Sequence, residues 1–204
     1  MAATGKWRTS EDGANAAGLI GPNAILQALP VLDDLLGRDG RRHMLSRAGI
    51  AEVPDGTEMI PEALAARLHR QIRLDVPEAA TRVSVAAGVA TADYILANRI
   101  PKPAQIVLRI LPAGPAARVL SRAIARHAWT FAGSGQFTVR DPWRFEIVNN
   151  PLVRGEAAPG CLCHWHAAVF ARLYQVLVAP GCTCREVTCG AQGAGARCRF
   201  EICK

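Results

Sequence analysis

The sequence lacks long apolar runs, both within the chain and near its start. No stretch of about 18 uncharged apolar residues occurs, so no membrane-spanning helix is predicted. Met1 to Gly18 is polar and lacks the apolar core of a secretory signal. We therefore expect a cytoplasmic protein. In that reducing compartment clustered cysteines favour metal binding over disulfides, and an odd count of seven cysteines cannot pair completely.

The common cofactor and nucleophile motifs are also missing. Gly133-Ser134-Gly135 precedes a predicted strand rather than a helix, so it is not a dinucleotide-binding fingerprint. The glycines at 190, 193 and 195 are followed by no helix that could bind phosphate, and the chain has neither a Walker loop nor a nucleophile elbow. We therefore predict no nucleotide cofactor, and the catalytic residues of any activity are unknown.

Composition and charge leave several partners open. Of the 204 residues, 50% are hydrophobic and 20% charged, which is typical of a globular chain with one core. The formal net charge is +7, but no lysine-rich tail or nucleic-acid motif accompanies it, so no nucleic-acid partner is predicted. An acidic small molecule or protein explains the charge equally well. Arg118, Arg122 and Arg126 lie four apart on a predicted helix, which favours a solvated face over a docking surface for carboxylates.

The first part of the chain is predicted to be helical. Residues 1–18 form a flexible tail in this prediction, and residues 19–204 form a single domain. Apolar residues recur at helical spacing in segments from Gly21 to Gly37, Arg41 to Gly49, Pro61 onward, Pro77 to Asn98, Ala104 to Leu111 and Pro115 to His127.

Three features qualify these helices. Pro30 is expected to kink or restart the first one, because proline cannot donate a helical hydrogen bond. The strongly apolar character of that helix favours a homodimer seam, with burial in the core as the alternative. The small residues between Ala86 and Ala92 predict that the long helix from Pro77 is central and buried, since small side chains let a second backbone approach closely.

From Trp129 onward, aromatic and β-branched residues predict strands. Phe131 to Arg140 and Trp143 to Val148 form a predicted hairpin, and Cys163 to Val178 a helix. Two further strands are expected at residues 182–189 and 197–203. The order of elements predicts an α+β domain, in which a helical N-terminal part packs on a small antiparallel β-sheet.

The cysteines indicate a metal site. Five of the seven lie between Cys182 and Cys203, and the other two stand just before the last predicted helix. Structural zinc takes four thiolate, imidazole or carboxylate ligands. The set that the spacing favours consists of Cys163, Glu186, Cys189 and Cys198. The residues that could substitute for members of this set are Cys161, Cys182, Cys184, His164 and His166. An iron–sulfur cluster lacks its usual Cys-x-x-Cys runs, and ordinary buried thiols are a further alternative.

The end of the chain resembles the 4-vinyl-reductase domain. The resemblance lies in the stretch from Cys184 to Cys189, in Cys198-Arg-Phe and in the Cys-x-Trp start at Cys163. This small-molecule-binding domain also occurs in phenol-sensing transcription regulators, and its fold is related to subunits of a vesicle-tethering complex. In the sensors a zinc ion is held by Cys, Glu, Cys and Cys in this order. The resemblance therefore implies a structural zinc held by Cys163, Glu186, Cys189 and Cys198.

Motifs in the rest of the chain resemble the bacteriochlorophyll-biosynthesis members of the family. They cover residues 21–27, 59–62, 92–101, 125–135 and 161–166. The resemblance implies a tetrapyrrole ligand of the protochlorophyllide or chlorophyllide type, with a vinyl group that is reduced to ethyl. It also implies that other enzymes of bacteriochlorophyll synthesis are partners.

Three functions follow from the resemblance. Vinyl reduction needs a hydride or electron donor, which cofactors supply, and no cofactor motif is present. We therefore expect a protein that binds and carries the tetrapyrrole. The alternative is a reductase that uses an external reductant, and a weaker one is a ligand-sensing regulatory domain.

A large, flat, apolar ligand needs an apolar pocket with a few polar anchors. The predicted ligand-binding residues are His127, Trp129, Phe131, Trp143, Trp165 and His166. Phe145 is a further candidate for the wall, His164 for the magnesium ligand, and Arg99 or Arg126 for a propionate partner. For each aromatic residue, simple core packing is the alternative.

Overall fold

The fold is given by a computed structural model that describes residues 18–193 and 195–204. The predicted flexible tail lies outside these residues except for Gly18. The helices are α1 (Asn23–Leu26), α2 (Ala28–Arg47), α3 (Glu62–Asp75), α4 (Pro77–Asn98), α5 (Lys102–Ile110), α6 (Ala113–Arg126), α7 (Trp129–Ala132) and α8 (His164–Leu177). The strands are β1 (Leu19–Ile20), β2 (Ile60–Pro61), β3 (Gln136–Asp141), β4 (Arg144–Val148), β5 (Thr183–Thr188) and β6 (Arg197–Cys203).

The C-terminal part forms a four-stranded antiparallel sheet in the order β3-β4-β6-β5. Alternate residues of β4 and β6 face inward, and Phe145 lies opposite Phe200 across the ladder. Phe170 of α8 packs edge-on against both rings, with centroid distances of 5.1 and 5.3 Å. One face of the sheet is therefore covered by α8, and the predicted α+β class is confirmed. Among the described residues, no helix has the length and apolar character that crossing a bilayer requires.

The buried central helix is also confirmed, because α4 packs along α8 on the side away from the sheet. The two backbones approach most closely at Gly88. A Cβ atom added there would lie 2.5 Å from the Trp165 carbonyl oxygen and 2.7 Å from the Ala168 Cβ atom. The small residues of α4 thus allow a helix contact that larger side chains would prevent.

Two local predictions were wrong. Pro30 does not kink the first helix, because it lies in the first turn of α2, where its missing N–H group costs nothing. The bend lies instead at Gly37 (φ 70°, ψ 169°), and the helix then continues to Arg47. Trp129 to Ala132 forms a helical turn rather than the start of a strand, and Gly133 with its positive φ of 57° ends it. The Thr130 carbonyl accepts a hydrogen bond of 2.7 Å from Gly21 N, so a long-range contact holds this turn.

The apolar residues of the first helices lie in the core of the single chain. Ile25 and Leu32 are fully buried, and Leu29 nearly so. Packing within one chain therefore accounts for their apolar character. The homodimer stays a prediction.

His69 of α3 supplies a test of core burial through pH. Its Nε2 atom lies 3.0 Å from the Ala24 carbonyl oxygen, and its ring meets Trp165 edge-on at 5.9 Å. Burial lowers the pKa of His69 to about 3, and the charges of Arg73 and His166 act in the same direction. The unfolded chain binds this proton near pH 6.5, whereas the folded chain does not until about pH 3.

We expect the free energy of unfolding to fall as the pH drops from about 6.5 towards 3, by on the order of 3–5 kcal/mol from His69 alone. Urea unfolding at several pH values measures this. His69→Gln should flatten the pH dependence by that amount, whereas the exposed His43→Gln should leave it unchanged. Equal pH dependence in the wild type and in His69→Gln would contradict the assignment.

Candidate metal centre and adjacent groove

The fold brings Cys163, Glu186, Cys189 and Cys198 together. Cys163 caps the N-terminus of α8, Glu186 lies in β5, Cys189 follows that strand, and Cys198 lies in β6. Their ligand atoms all lie within 4.8 Å of one another, and the three cysteines are buried. Two chain segments that are distant in sequence, the start of α8 and the β5–β6 hairpin, therefore meet at this cluster.

A β-bulge aims two of these side chains to the same side of the sheet. Glu186 and Cys189 are three residues apart, so in a regular strand they would face opposite sides. In β5 the pairing with β6 shifts between Glu186 and Thr188, which leaves Val187 as an extra residue. The bulge restores the inward direction at Cys189, which is fully buried.

Polar groups around the cluster are directed at its sulfur and oxygen atoms. The Asn150 amide nitrogen lies 3.2 Å from Cys163 Sγ and 3.7 Å from Cys198 Sγ. The backbone of Cys163 donates a hydrogen bond of 2.8 Å to Glu186 Oε2, whereas the buried Glu186 Oε1 has no hydrogen-bond partner. The sequence predicted only a turn at Asn150, and its proximity to the sulfurs depends on the fold.

The electrostatics of the cluster favour a cation. Burial raises the pKa of Cys163 well above its usual range and raises the pKa of Glu186 to about 7. Hydrogen bonds from the Cys163 and Cys198 thiols lower the pKa of Cys189, so negative charge gathers on that sulfur. Buried anionic groups are costly unless they are paired or coordinate a metal ion.

The donor set fits zinc. A tetrahedral zinc ion with arms of about 2.3 Å places its ligands roughly 3.8 Å apart. The four candidate atoms are within 4.8 Å of one another, with 3.2 Å between Cys163 Sγ and Cys198 Sγ. The unpartnered Glu186 Oε1 is a free carboxylate donor at the same point.

The alternative ligands lie outside this group. Cys161 Sγ donates to the Glu186 backbone carbonyl at 3.4 Å, and His166 Nε2 lies 3.2 Å from the Phe131 carbonyl oxygen. Cys182 is buried elsewhere in the core, and Cys184 is half-buried on β5. His164 is half-buried beside the cluster, and burial lowers the pKa of its ring.

The six predicted ligand-binding residues do not surround one cavity. Phe131, Trp165 and His166 belong to the core, where Trp165 Nε1 donates to Thr91 Oγ1 at 3.2 Å. His127 and Trp129 are exposed. Trp143 packs on Tyr174 and lines a shallow groove of about 380 Å³. Their core members pack because the chain has few aromatic rings and concentrates them between α8 and the sheet. Phe145 is likewise a core residue.

A second groove, not predicted from the sequence, lies beside the metal centre. It has a volume of about 390 Å³ and runs between α4, α8 and β5. Its apolar lining consists of Val85, Val89, Ala167, Ala168 and Ala171. Its polar lining consists of Cys161, His164, Arg172, Gln175, Thr183, Cys184, Arg185 and Glu186. Glu186 therefore belongs both to the groove and to the metal centre. The signal in the sequence was the run of small residues on α8, which the helical period alone did not separate from core.

Comparisons with known families match this site. The model of the 4-vinyl-reductase domain matches residues 143–204, which contain all four candidate metal ligands. Fold and site thus define a protein with a 4-vinyl-reductase domain. The chain is 52% identical over 185 residues to the bacteriochlorophyll synthase 23 kDa chain of Cereibacter sphaeroides, covering 90% of this chain and 89% of that protein. It is 47% identical to the Rhodobacter capsulatus protein of the same name, covering 90% and 86%. The chain belongs to the family of bacteriochlorophyll synthase 23 kDa chains.

Solved structures with the same fold are H-NOX proteins. An Fe(II) unliganded mutant of the K. algicida H-NOX protein superposes with a TM-score of 0.56 at 9% identity, covering 90% of this chain and 95% of that one. A second H-NOX structure, solved to probe heme distortion in that family, gives 0.55 at 10% identity, covering 90% and 94%. At this identity the likeness shows the fold alone.

Proposed function

We propose that this protein binds a late tetrapyrrole intermediate of bacteriochlorophyll biosynthesis and presents it to enzymes of the pathway. The observation that carries the proposal is the 52% identity, over 90% of the chain, to a bacteriochlorophyll synthase 23 kDa chain. The heme studied in the H-NOX family, a tetrapyrrole bound by a protein of the same fold, supports the ligand class.

The groove between α4, α8 and β5 is the proposed ligand site. Its volume of about 390 Å³ is within the range of roughly 300–1,000 Å³ that is typical of ligand sites. Valine and alanine side chains from α4 and α8 offer an apolar surface to a flat ring. His164 supplies an imidazole for a central magnesium ion. Arg172 and Arg185 supply guanidinium groups for ring carboxylates, as charge-assisted pairs.

A structural zinc ion supports this site in the proposal. Cys163, Glu186, Cys189 and Cys198 would hold it and so fix the start of α8 to the β5–β6 hairpin. A four-ligand site of this kind supplies structural cross-linking. Because Glu186 and Cys161 line the groove next to the cluster, the shape of the groove depends on the same cross-link.

The carrier role is favoured over reductase activity by the chemistry of the step. Reduction of a vinyl to an ethyl group adds two electrons and two protons to the carbon–carbon double bond, and a donor must supply them. The sequence has no dinucleotide-binding fingerprint, so the donor would come from a partner. Reduction by this chain with an external reductant is the alternative.

The decisive experiment is titration of the purified protein with a divinyl chlorophyllide, followed by absorption spectra with and without NADPH or reduced ferredoxin. We expect a shifted pigment spectrum and no conversion to the monovinyl form. Conversion that depends on added reductant would support the reductase instead. The absence of any spectral shift would refute both functions.

Ala171→Trp is expected to weaken pigment binding at least tenfold, because a large indole would fill the groove beside the ring site. Ala97→Trp, at an exposed position of α4, is the matched control and should bind pigment normally. The dissociation constant from fluorescence quenching measures both, and the urea midpoint verifies that both variants fold. Equal affinity in the two variants would place the ligand elsewhere.

A further inference from the structure

Helices α5 and α6 present an exposed surface that is apolar and basic at once. Four aliphatic side chains are unusually open to solvent. Their exposed fractions are 59% for Ile106, 52% for Val107, 76% for Ile110 and 50% for Val119. Both helices are amphipathic, with Leu108 of α5 and other apolar residues of α6 facing the core. The exposed aliphatic residues therefore lie on the side that the rest of the chain leaves uncovered.

The charge of this region has a single sign. Between Asp93 and Asp141 the sequence contains no acidic residue, and it contains seven lysines and arginines, equal to the formal net charge of the whole chain. Five of them lie on the two helices, and all five are exposed: Lys102, Arg109, Arg118, Arg122 and Arg126. The ion pairs found among the described residues do not include any of these five.

We propose that the α5–α6 surface docks on a membrane that carries anionic lipid. The aliphatic side chains of α5 insert among the headgroups, and the basic side chains bind lipid phosphates while their methylene stems cover apolar surface. Amphipathic helices with cations on the polar side bind membranes in this way, lying in the interface without crossing the bilayer. This inference goes beyond the proposed function, since it does not depend on pigment binding.

Charge and shape favour a membrane over the other occupants. A second copy of the chain would bring two surfaces of the same positive sign together, which costs free energy. A folded acidic protein would present fixed carboxylates and an apolar core, whereas here cations and aliphatic residues alternate along two helices. A fluid array of phosphates over an apolar layer matches that alternation.

Co-sedimentation with vesicles tests the proposal. We expect the full-length protein to bind vesicles of phosphatidylglycerol and phosphatidylcholine and to bind pure phosphatidylcholine far more weakly. Each basic residue near such a surface contributes about fivefold to binding, so Arg118→Gln, Arg122→Gln and Arg126→Gln together should weaken binding on the order of 100-fold. Binding should also fall as salt is raised, because salt screens exposed charges.

Matched variants separate this surface from general stickiness. Ile106→Ser with Ile110→Ser should reduce vesicle binding at least tenfold, whereas Leu74→Ser with Val53→Ser, at positions 62% and 48% exposed, should not. Arg38→Gln, Arg70→Gln and Arg82→Gln, also exposed, are the charge control. Circular dichroism verifies the fold of each variant.

Three results would overturn the proposal. They are equal binding to both kinds of vesicle, equal loss in the control variants, and no vesicle binding by the wild type. If an acidic pathway protein were instead retained through the same arginines, the surface would belong to a protein partner.

Discussion

Cys189→Ser is expected to release the bound zinc and to lower the free energy of unfolding by on the order of 5 kcal/mol. A structural zinc ion contributes its binding free energy directly to folding, and loss of one thiolate leaves three ligands around a buried ion. Cys189 is fully buried among the other ligands, so water replaces it poorly. Elemental analysis should find about one zinc ion per wild-type chain and none in the variant, and urea unfolding measures the loss of stability.

Cys203→Ser provides the control, because Cys203 is exposed at the end of β6 and lies outside the cluster. This variant should keep its zinc and its stability. Cobalt substitution adds an independent readout, since thiolate ligands give the cobalt form intense charge-transfer bands that Cys189→Ser should weaken. Full zinc content in Cys189→Ser would remove the assignment of the ligand set, and its absence from the wild type would remove the zinc.

Gly88→Ala is expected to destabilise the protein by about 3 kcal/mol, although alanine is normally the better helix former. In an ordinary helix interior the exchange stabilises by roughly 0.5–1 kcal/mol. At Gly88 the new methyl group would lie 2.5 Å from the Trp165 carbonyl oxygen, which belongs to backbone and cannot rotate away. Helices α4 and α8 must then separate, and overpacking of this kind costs a few kcal/mol.

Gly114→Ala is the matched comparison for this prediction. Gly114 lies in α6, and a Cβ atom added there would meet nothing within 4 Å. The two exchanges should therefore change the urea midpoint in opposite directions. A neutral or stabilising effect of Gly88→Ala would show that α4 and α8 are not packed as closely as described.

Residues with a clear period were predictable from the sequence. Helices α4 and α8 and strands β4 to β6 follow the apolar patterns that predicted them, because burial on one face repeats at 3.6 or 2 residues. Trp129 to Ala132 was not predictable, since aromatic residues favour strands and only the contact between Thr130 and Gly21 selects the helical turn.

The candidate site divides in the same way. The four metal-ligand candidates came from their spacing and from the family resemblance, and the fold brings them together. Asn150 and the groove were missed, because each depends on which segments meet in space. The aromatic pocket residues show the limit of composition. Their concentration between 129 and 165 predicted a binding site, but Phe131 and Trp165 pack in the core.

The bulge in β5 makes the count of residues, rather than their identity, the information that the hairpin must preserve. Val187 is 39% exposed, and its side chain takes no part in the cluster, so many residue types would serve there. Removing that position altogether would turn the next sulfur towards solvent. Length variation is therefore far more harmful than substitution at this point of the chain.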